Sequence, residues 1–581
     1  MTEKELPLKH LFSCLKPYRK EAIISPLFKL LEACMELVVP LVVAHIVDVG
    51  VAGADKMYIV YGCLVLVAFG AAGLCFALTA QYFAAKAAVG VSAELRKRLF
   101  VKLQSFSFAQ IDRVGTSAMI VRMTSDCQQV QTGVNMTLRL LLRSPLIVLG
   151  AAAMAFTVNV HAALIFLAVI PLLAAVVGAV MAAGIPLYKK VQARLDGVNL
   201  SARENLQGVR VIRAFCREEE EGREFSERNT SLRNAQKKAG RISALANPLT
   251  FVLVNIAVIA LVYVGAIKVN SGALKQGDVI ALYSYLSLIL VELIKFANLI
   301  FTLSKAVSSE KRIAKVLDEE SEPSVLSPDD GEGEEDSTEA IRFEHVSFTY
   351  EGGGAPALSD IDFAVKKGET VGILGGTGAG NSTLINLIPR FYAASEGRVL
   401  VNGKSVNARP VEELRRSVGV VPQHAVLFKG SIRSNLLWGG QATEEELHAA
   451  LKIAQAEDVV ASKGGLDGEI AQEGKNLSGG QRQRLTIARA LVKKPEILIL
   501  DDSSSALDYA TDFALRRALK GLECTVLVVS QRVAAVRHAD KIILMDGGKV
   551  AGMGTHEELM AASALYQEIY ASQTRDGEGA L

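Results

Sequence analysis

Hydrophobic and polar positions divide this chain into two parts with different periodicities. Before residue 305, apolar runs close to the ~20 residues of a bilayer-crossing helix recur at about 23–48, 57–84, 138–159, 162–187, 246–269 and 277–303. Residues 85–137 and 188–245 keep a helical period but mix their charges. They predict helical hairpins that prolong the spans, since ~20 further helical residues reach about 30 Å beyond the membrane. In the second part, "IRFEHVSFTY" alternates as a strand, "ETVGILGG" runs as a buried strand into glycines, and "STLINLIPRF" continues as a helix. "EILILDD" and "TVLVVSQ" are continuous apolar runs of the kind buried on both faces of a parallel sheet.

Between the parts lies "LDEESEPSVLSPDDGEGEEDSTEA", residues 317–340, which is acidic, rich in Ser, Pro and Gly, and unable to bury a core. The expected organisation is a membrane domain over 1–316, a linker over 317–340 and an α/β domain over 341–581. Charge then orients the spans. Lys4, Lys9, Lys16, Arg19 and Lys20 precede the first, and Lys86, Arg96, Lys97, Arg98, Lys102, Arg113 and Arg122 follow the second. Only Lys56 lies between the first two, and "VNVH" between the third and fourth has no cation, so both termini are expected in the cytoplasm. No charged leader with a short apolar core and cleavage site is found, so the first span is read as retained. The 7 cysteines are scattered without metal-ligand spacing, which argues against a disulfide framework or a metal cluster.

The chemistry begins at "LGGTGAGNST", residues 374–383. A phosphate-binding loop has the pattern G-x-x-x-x-G-K-[ST] between a strand and a helix. Its glycines let backbone N–H groups approach phosphate, and the helix N-terminus favours negative charge. Gly375, Gly376, Thr377, Gly378, Ala379 and Gly380 form the loop, and Ser382 and Thr383 close it, but Asn381 stands where the pattern has lysine.

That loop is followed by "NLSGGQRQRLTIARAL" (476–491), "ILILDD" and "SALD". In order and spacing these resemble the signature, the carboxylate-bearing strand and the D-loop of ATP-binding cassette (ABC) proteins. The resemblance covers nearly the whole chain, since six spans followed by a cassette is the half-transporter layout of the exporter-type ABC family. It implies ATP and Mg²⁺ as cofactors. Residue by residue it implies that Tyr350 stacks on adenine, that Ser382, Gln423 and Asp501 lie at Mg²⁺, and that Asp508 is the D-loop aspartate. It also places Glu473 where exporters meet their cytoplasmic loops, assigns 111–126 and 203–219 to the two coupling regions, and reads "LKHLFSCLKPYRK" as an amphipathic elbow.

Three departures fall on one catalytic half. Asn381 replaces the phosphate-binding lysine, Asp502 the glutamate that polarises water, and Gln531 the switch histidine. Losing one charged contact costs ~1.5 to 3 kcal/mol, which still permits binding. Displacing a catalytic group by ~1 Å costs on the order of a hundredfold in rate, so hydrolysis suffers more. In this family two cassettes meet head to tail, so Ser478, Gly479, Gly480 and Gln481 would complete a partner's site. An intact signature beside a damaged loop implies a non-identical partner and an ATP-occupied but slow site of the chain's own.

Charged residues inside spans are functional candidates. Glu32 and Glu36 share a helix face, and Glu292 and Lys295 are spaced to pair. They line a cation-accepting cavity or make structural contacts between helices, and both readings stand at this stage. The leading expectation is a heterodimeric exporter of hydrophobic or amphipathic compounds in a bacterial cytoplasmic membrane, with lipid and a small-molecule substrate as partners. Its six spans exclude the soluble ABC proteins that act on nucleic acid. A siderophore-type importer, a homodimeric exporter in which Asn381 is an introduced lesion, and a non-catalytic regulatory subunit remain alternatives.

Overall fold

Long apolar runs fold as helices because a helix satisfies every backbone polar group within its own segment. In the computed structural model, which describes residues 8–327 and 338–575, six helical stretches among the described residues are long and apolar enough to cross a membrane. They are α1 (Lys9–Val51), α2 (Lys56–Gln104), α3 (Thr116–Val158), α4 (Val160–Ala214), α5 (Glu218–Asn270) and α6 (Gln276–Leu317). Each holds one of the six apolar runs. The polar extensions continue the same helices, as the hairpin expectation required, and the second coupling region turns at Phe215–Arg217 between α4 and α5.

The chain divides into two units, Met1–Gln104 with Ser117–Glu319, and Ser105–Thr116 with Glu320–Leu581. In the first, small side chains bring helices close, which is how helices associate where lipid is as apolar as leucine. Ala33, Ala151, Ala155, Ala162 and Ala163 are fully buried around Phe166 and Tyr285. The Tyr285 hydroxyl donates to the Leu37 carbonyl at 2.8 Å, so a polar atom in this core has its partner. Gly277 opens α6 where a Cβ would lie 2.2 Å from the Ala44 carbonyl oxygen, and its N–H donates to Asp48 at 2.6 Å. Only glycine admits that approach.

The second unit contains β1 (Glu339–Phe348), β2 (Leu358–Lys366), β3 (Thr370–Gly375), β4 (Glu396–Val401), β5 (Val418–Val421), β6 (Ile497–Asp501), β7 (Thr525–Ser530), β8 (Lys541–Asp546) and β9 (Lys549–Gly554). Strands β1, β2 and β4 form an antiparallel sheet in the order β2-β1-β4. The larger sheet runs β9-β8-β3-β7-β6-β5, parallel except for the β8–β9 pair. Its helices include α7 (Asn381–Leu387), α8 (Gly479–Val492), α9 (Tyr509–Leu519), α10 (Val533–Val536) and α11 (Ala564–Arg575). Ligands of open parallel sheets gather beyond the carboxyl ends of the strands. Register puts Leu374 beside Ser530, and Val529 beside Asp501, so β3, β7 and β6 end together.

The short helix Phe108–Val114, within Ser105–Thr116, belongs to this second unit although Gln104 and Ser117 on either side of that segment belong to the first. Ser107 and Gln110 form its capping box. Phe108 stacks on Phe391 with centroids 4.3 Å apart, and the Tyr392 hydroxyl donates to Asp112 at 2.6 Å. The end of the acidic segment nearest α6 also lies on this unit, with Glu322 accepting from Arg415 at 2.7 and 3.0 Å. Residues 328–337, the rest of the expected linker's acidic core, lie outside the described residues.

Candidate nucleotide site

Beyond the ends of β3, β6 and β7 lies a cavity of about 390 Å³. Its walls include Tyr350, Gly376, Thr377, Gly378, Gly380, Asn381, Ser382, Thr383, Gln423, Asp501, Asp502 and Gln531, residues far apart in sequence. Gly375 ends β3 behind the loop, and Ala379 is buried beneath it, its N–H donating to the Gly376 carbonyl at 3.1 Å. Gly378 and Gly380 hold φ of 84° and 97°, the left-handed region that glycine enters without penalty. Both glycines line the cavity, so the loop's backbone borders the space an anion would occupy.

Asn381 opens α7, and its side chain folds backwards. Its Nδ2 donates to the Gly375 carbonyl at 3.0 Å, while its Oδ1 is buried without a hydrogen-bond partner. A Cβ on Gly375 would come within 2.6 Å of that oxygen, so the glycine makes room for the turned amide. Among the described residues, no lysine or arginine lines the cavity.

Next to Asn381, Ser382 Oγ donates to Asp501 Oδ1 at 3.2 Å, which brings a hydroxyl and a carboxylate together. With the Gln423 amide they form a set of hard oxygen donors that fits a magnesium ion. Burial pushes the Asp501 carboxyl above its ordinary range, as does the neighbouring Asp502 charge, against the pull of the Ser382 hydrogen bond. Burial raises Asp502 too, offset by hydrogen bonding to Gln423 and by the Arg532 charge. Asp502 has φ 43°, a conformation in which aspartate is far commoner than longer side chains. Tyr350 is part-exposed at the rim; its hydroxyl meets Thr383 Oγ1 at 3.0 Å, and its ring packs edge-on to Phe348 and Tyr392.

The signature residues do not line this cavity. Ser478 caps α8 in a capping box, with Gln481 N donating to Ser478 Oγ at 3.2 Å and Ser478 N to Gln481 Oε1 at 2.9 Å. Gly480 lies against the D-loop, where a Cβ would be 2.8 Å from the Ala506 carbonyl oxygen. Asp508 caps α9 through Thr511 N at 2.9 Å, and that bond holds its carboxyl below the usual range. Ser478, Gly480, Gln481 and Asp508 thus form a second, separate face.

In the first unit the four charged candidates converge on a residue the sequence reading passed over. Arg143, at the start of the third span, donates to Glu36 at 2.6 Å and to Glu292 at 2.7 Å, and lies 3.9 Å from Glu32. Lys295 pairs with Glu292 at 2.7 Å as its spacing suggested, Ser144 donates to the same carboxylate, and Lys29 pairs with Glu32. Three carboxylates therefore face three cations. Glu36 and Glu292 border a cavity of about 410 Å³, but with compensated charge. A cavity of about 520 Å³, unforeseen from sequence, opens between α4, α5 and α6. Apolar residues such as Val177, Ile185 and Phe301 line it together with Tyr188, Asn247, Asn298 and Lys305. The only sequence signal for it was asparagine and lysine within or beside apolar runs.

A glycine loop at the end of a parallel strand, a serine and carboxylate placed for magnesium, and six bilayer-length helices in the same chain define a membrane protein that carries its own nucleotide-binding domain. Comparison with known proteins sharpens that class. Residues 22–293 match the family described as ABC transporter transmembrane region, and residues 358–505 match the ABC transporter family. The chain belongs to the ABC transporters, as a half-transporter with an exporter-type six-helix domain fused to a cassette. It is 37% identical to the uncharacterized ABC transporter ATP-binding protein YfiB of Bacillus subtilis, over 97% of this chain and 98% of that one. It is 32% identical to the ATP-dependent lipid A-core flippase of Pseudomonas fluorescens, over 84% and 82% of the two chains. A solved bacterial Atm1-family ABC exporter with ATP bound shares the fold, with TM-score 0.80 at 23% identity over 96% of this chain and 98% of that one.

Proposed function

We propose that this chain is one half of a heterodimeric exporter in a bacterial cytoplasmic membrane, with its termini and cassette in the cytoplasm. Its own cavity holds MgATP with little hydrolysis, and its signature face completes the hydrolysing site of a non-identical partner. The observation that carries this reading is a contrast within one domain. The phosphate loop has no cation, and its Asn381 amide is spent on the Gly375 carbonyl, whereas the Ser478–Gln481 cap is intact and lies outside the lining of that cavity.

The residues divide the work accordingly. Loop amides between Gly376 and Gly380 receive phosphate, Ser382, Asp501 and Gln423 hold magnesium, and Tyr350 covers the base. Bound ATP supplies negative charge and binding free energy. Asp502 lies where a longer carboxylate would orient water, and Gln531 can donate a hydrogen bond but carries no charge, so charge developing on a transferring phosphoryl group goes largely unneutralised. The helix Phe108–Val114 links nucleotide-dependent movement of the cassette to the chain leading into α2 and α3. The 520 Å³ cavity, apolar with a few convergent polar groups, suits a hydrophobic or amphipathic substrate. The lipid A-core flippases among its relatives fit that class.

ATPase activity of the purified chain, alone and with its partner half-transporter, before and after Asn381→Lys, tests the proposal. Near-inactivity alone, activity in the pair and little change of the pair's rate on restoring lysine support it. Vigorous hydrolysis by the single chain once lysine returns would establish a homodimer instead.

A further inference from the structure

The residue after β7, Gln531, forms part of the nucleotide cavity, and its backbone is gripped from outside that cavity. Gln573, near the end of α11, donates from Nε2 to the Gln531 carbonyl at 2.8 Å and accepts from Val533 N at Oε1, also at 2.8 Å. One amide thus binds both sides of Arg532, in register with the turn that carries Gln531. That turn has further ties of its own, Arg532 N to Ser530 Oγ at 3.1 Å and Ala535 N to the Arg532 carbonyl at 2.9 Å.

The helix bearing Gln573 is firmly seated. Tyr566 is fully buried, and its hydroxyl meets His556 Nδ1 at 2.8 Å. It shares a core with Val533 and Val536 of α10 and with Leu374, the residue immediately before the Gly375 end of β3. A rigid helix that ends in a two-point grip on a loop fixes the backbone of that loop. The side chain of Gln531 then meets the cavity in one orientation instead of several.

We infer that Gln573 is a positioning residue for the nucleotide site, acting through Gln531, so that docking of the C-terminal helix sets how well the cavity holds ATP. The inference rests on the proposed reading of that cavity as a nucleotide site. It goes beyond that reading because α11 lies outside the residues matched to the cassette family and outside the cavity wall.

The test is MgATP affinity of the purified full chain by calorimetry, with Gln573→Met and Gln573→Glu, each in the unaltered chain and in Gln531→Ala. Methionine keeps length but makes neither bond. Glutamate still accepts from Val533 N but sets a carboxylate oxygen against the Gln531 carbonyl, which provides a second variant if the first fails to fold. The expected result is a loss of roughly tenfold in affinity, the scale of one net hydrogen bond, that disappears when Gln531 is already alanine. The shift in unfolding midpoint should be the same in both backgrounds. No loss, or an equal loss in both backgrounds, overturns the inference while leaving the nucleotide site standing. An unaltered chain that binds no MgATP overturns both.

Discussion

Asn381 Nδ2 lies 3.0 Å from the carbonyl oxygen of Gly375, and this bond closes the phosphate loop on itself. A lysine at this position would extend past that carbonyl and place an ammonium among the loop amides. Asn381→Lys is therefore expected to raise ATP affinity by about ten- to a hundredfold, the worth of one charged contact. Calorimetric titration of the single chain with MgATP reads it directly. An unchanged affinity would mean the loop amides alone saturate the phosphates.

Magnesium dependence should vary with pH in a defined direction. Burial raises the Asp501 carboxyl, so it takes up a proton at higher pH than a free aspartate does. A protonated carboxyl cannot ligate a cation, so MgATP affinity should fall on acidification before the ordinary aspartate range is reached. The apo fold has the opposite slope. A raised carboxyl binds more protons folded than unfolded, so its contribution to stability declines as pH rises through that window. Asp501→Asn should flatten both trends, as affinity titrations and thermal unfolding from acidic to neutral pH would show.

Arg143 is the hub of the membrane charge cluster, and its side chain is 8% exposed beside a Glu292 that is 2% exposed. Removing one partner of a buried pair leaves an uncompensated charge and costs about 3–5 kcal/mol. Arg143→Met should therefore lower the unfolding midpoint sharply, whereas Glu36→Gln, at the more exposed end of the cluster, should do so weakly. Equal, small effects would show that water already solvates the cluster.

Tyr392→Phe removes the hydroxyl that donates to Asp112 at 2.6 Å and leaves the Phe108–Phe391 stack in place. If the Phe108–Val114 helix transmits closure of the cassette, transport should fall while MgATP affinity of the single chain stays unchanged. The comparison is a vesicle transport assay against calorimetry. Parallel losses in both would point to local unfolding of the docking site.

Much of this architecture was legible in residue order. Apolar runs marked the helices because a bilayer imposes their length, and "ETVGILGG" marked β3 because a strand buried on both faces tolerates no polar position. That Ser382, Asp501 and Gln423 line one cavity follows from short motifs whose order along the chain the fold brings together. Arg143 was not legible, since its partners Glu36 and Glu292 lie 107 and 149 residues away and only tertiary packing joins them. Gln573 was equally hidden. A glutamine near a chain end has no motif, and its role arises from where α11 happens to dock.

The backbone of Asp502, at φ 43°, bears on what the proposed slow site would need in order to hydrolyse rapidly. Restoring lysine at 381 is a single substitution into an open cavity. A glutamate at 502 would also have to hold that left-handed backbone, as Glu473 does at φ 59°, where residues other than glycine pay roughly 1–2 kcal/mol. In the proposed heterodimer a return to rapid hydrolysis thus needs changes at 381, 502 and 531 together, whereas the signature face goes on serving the partner's site.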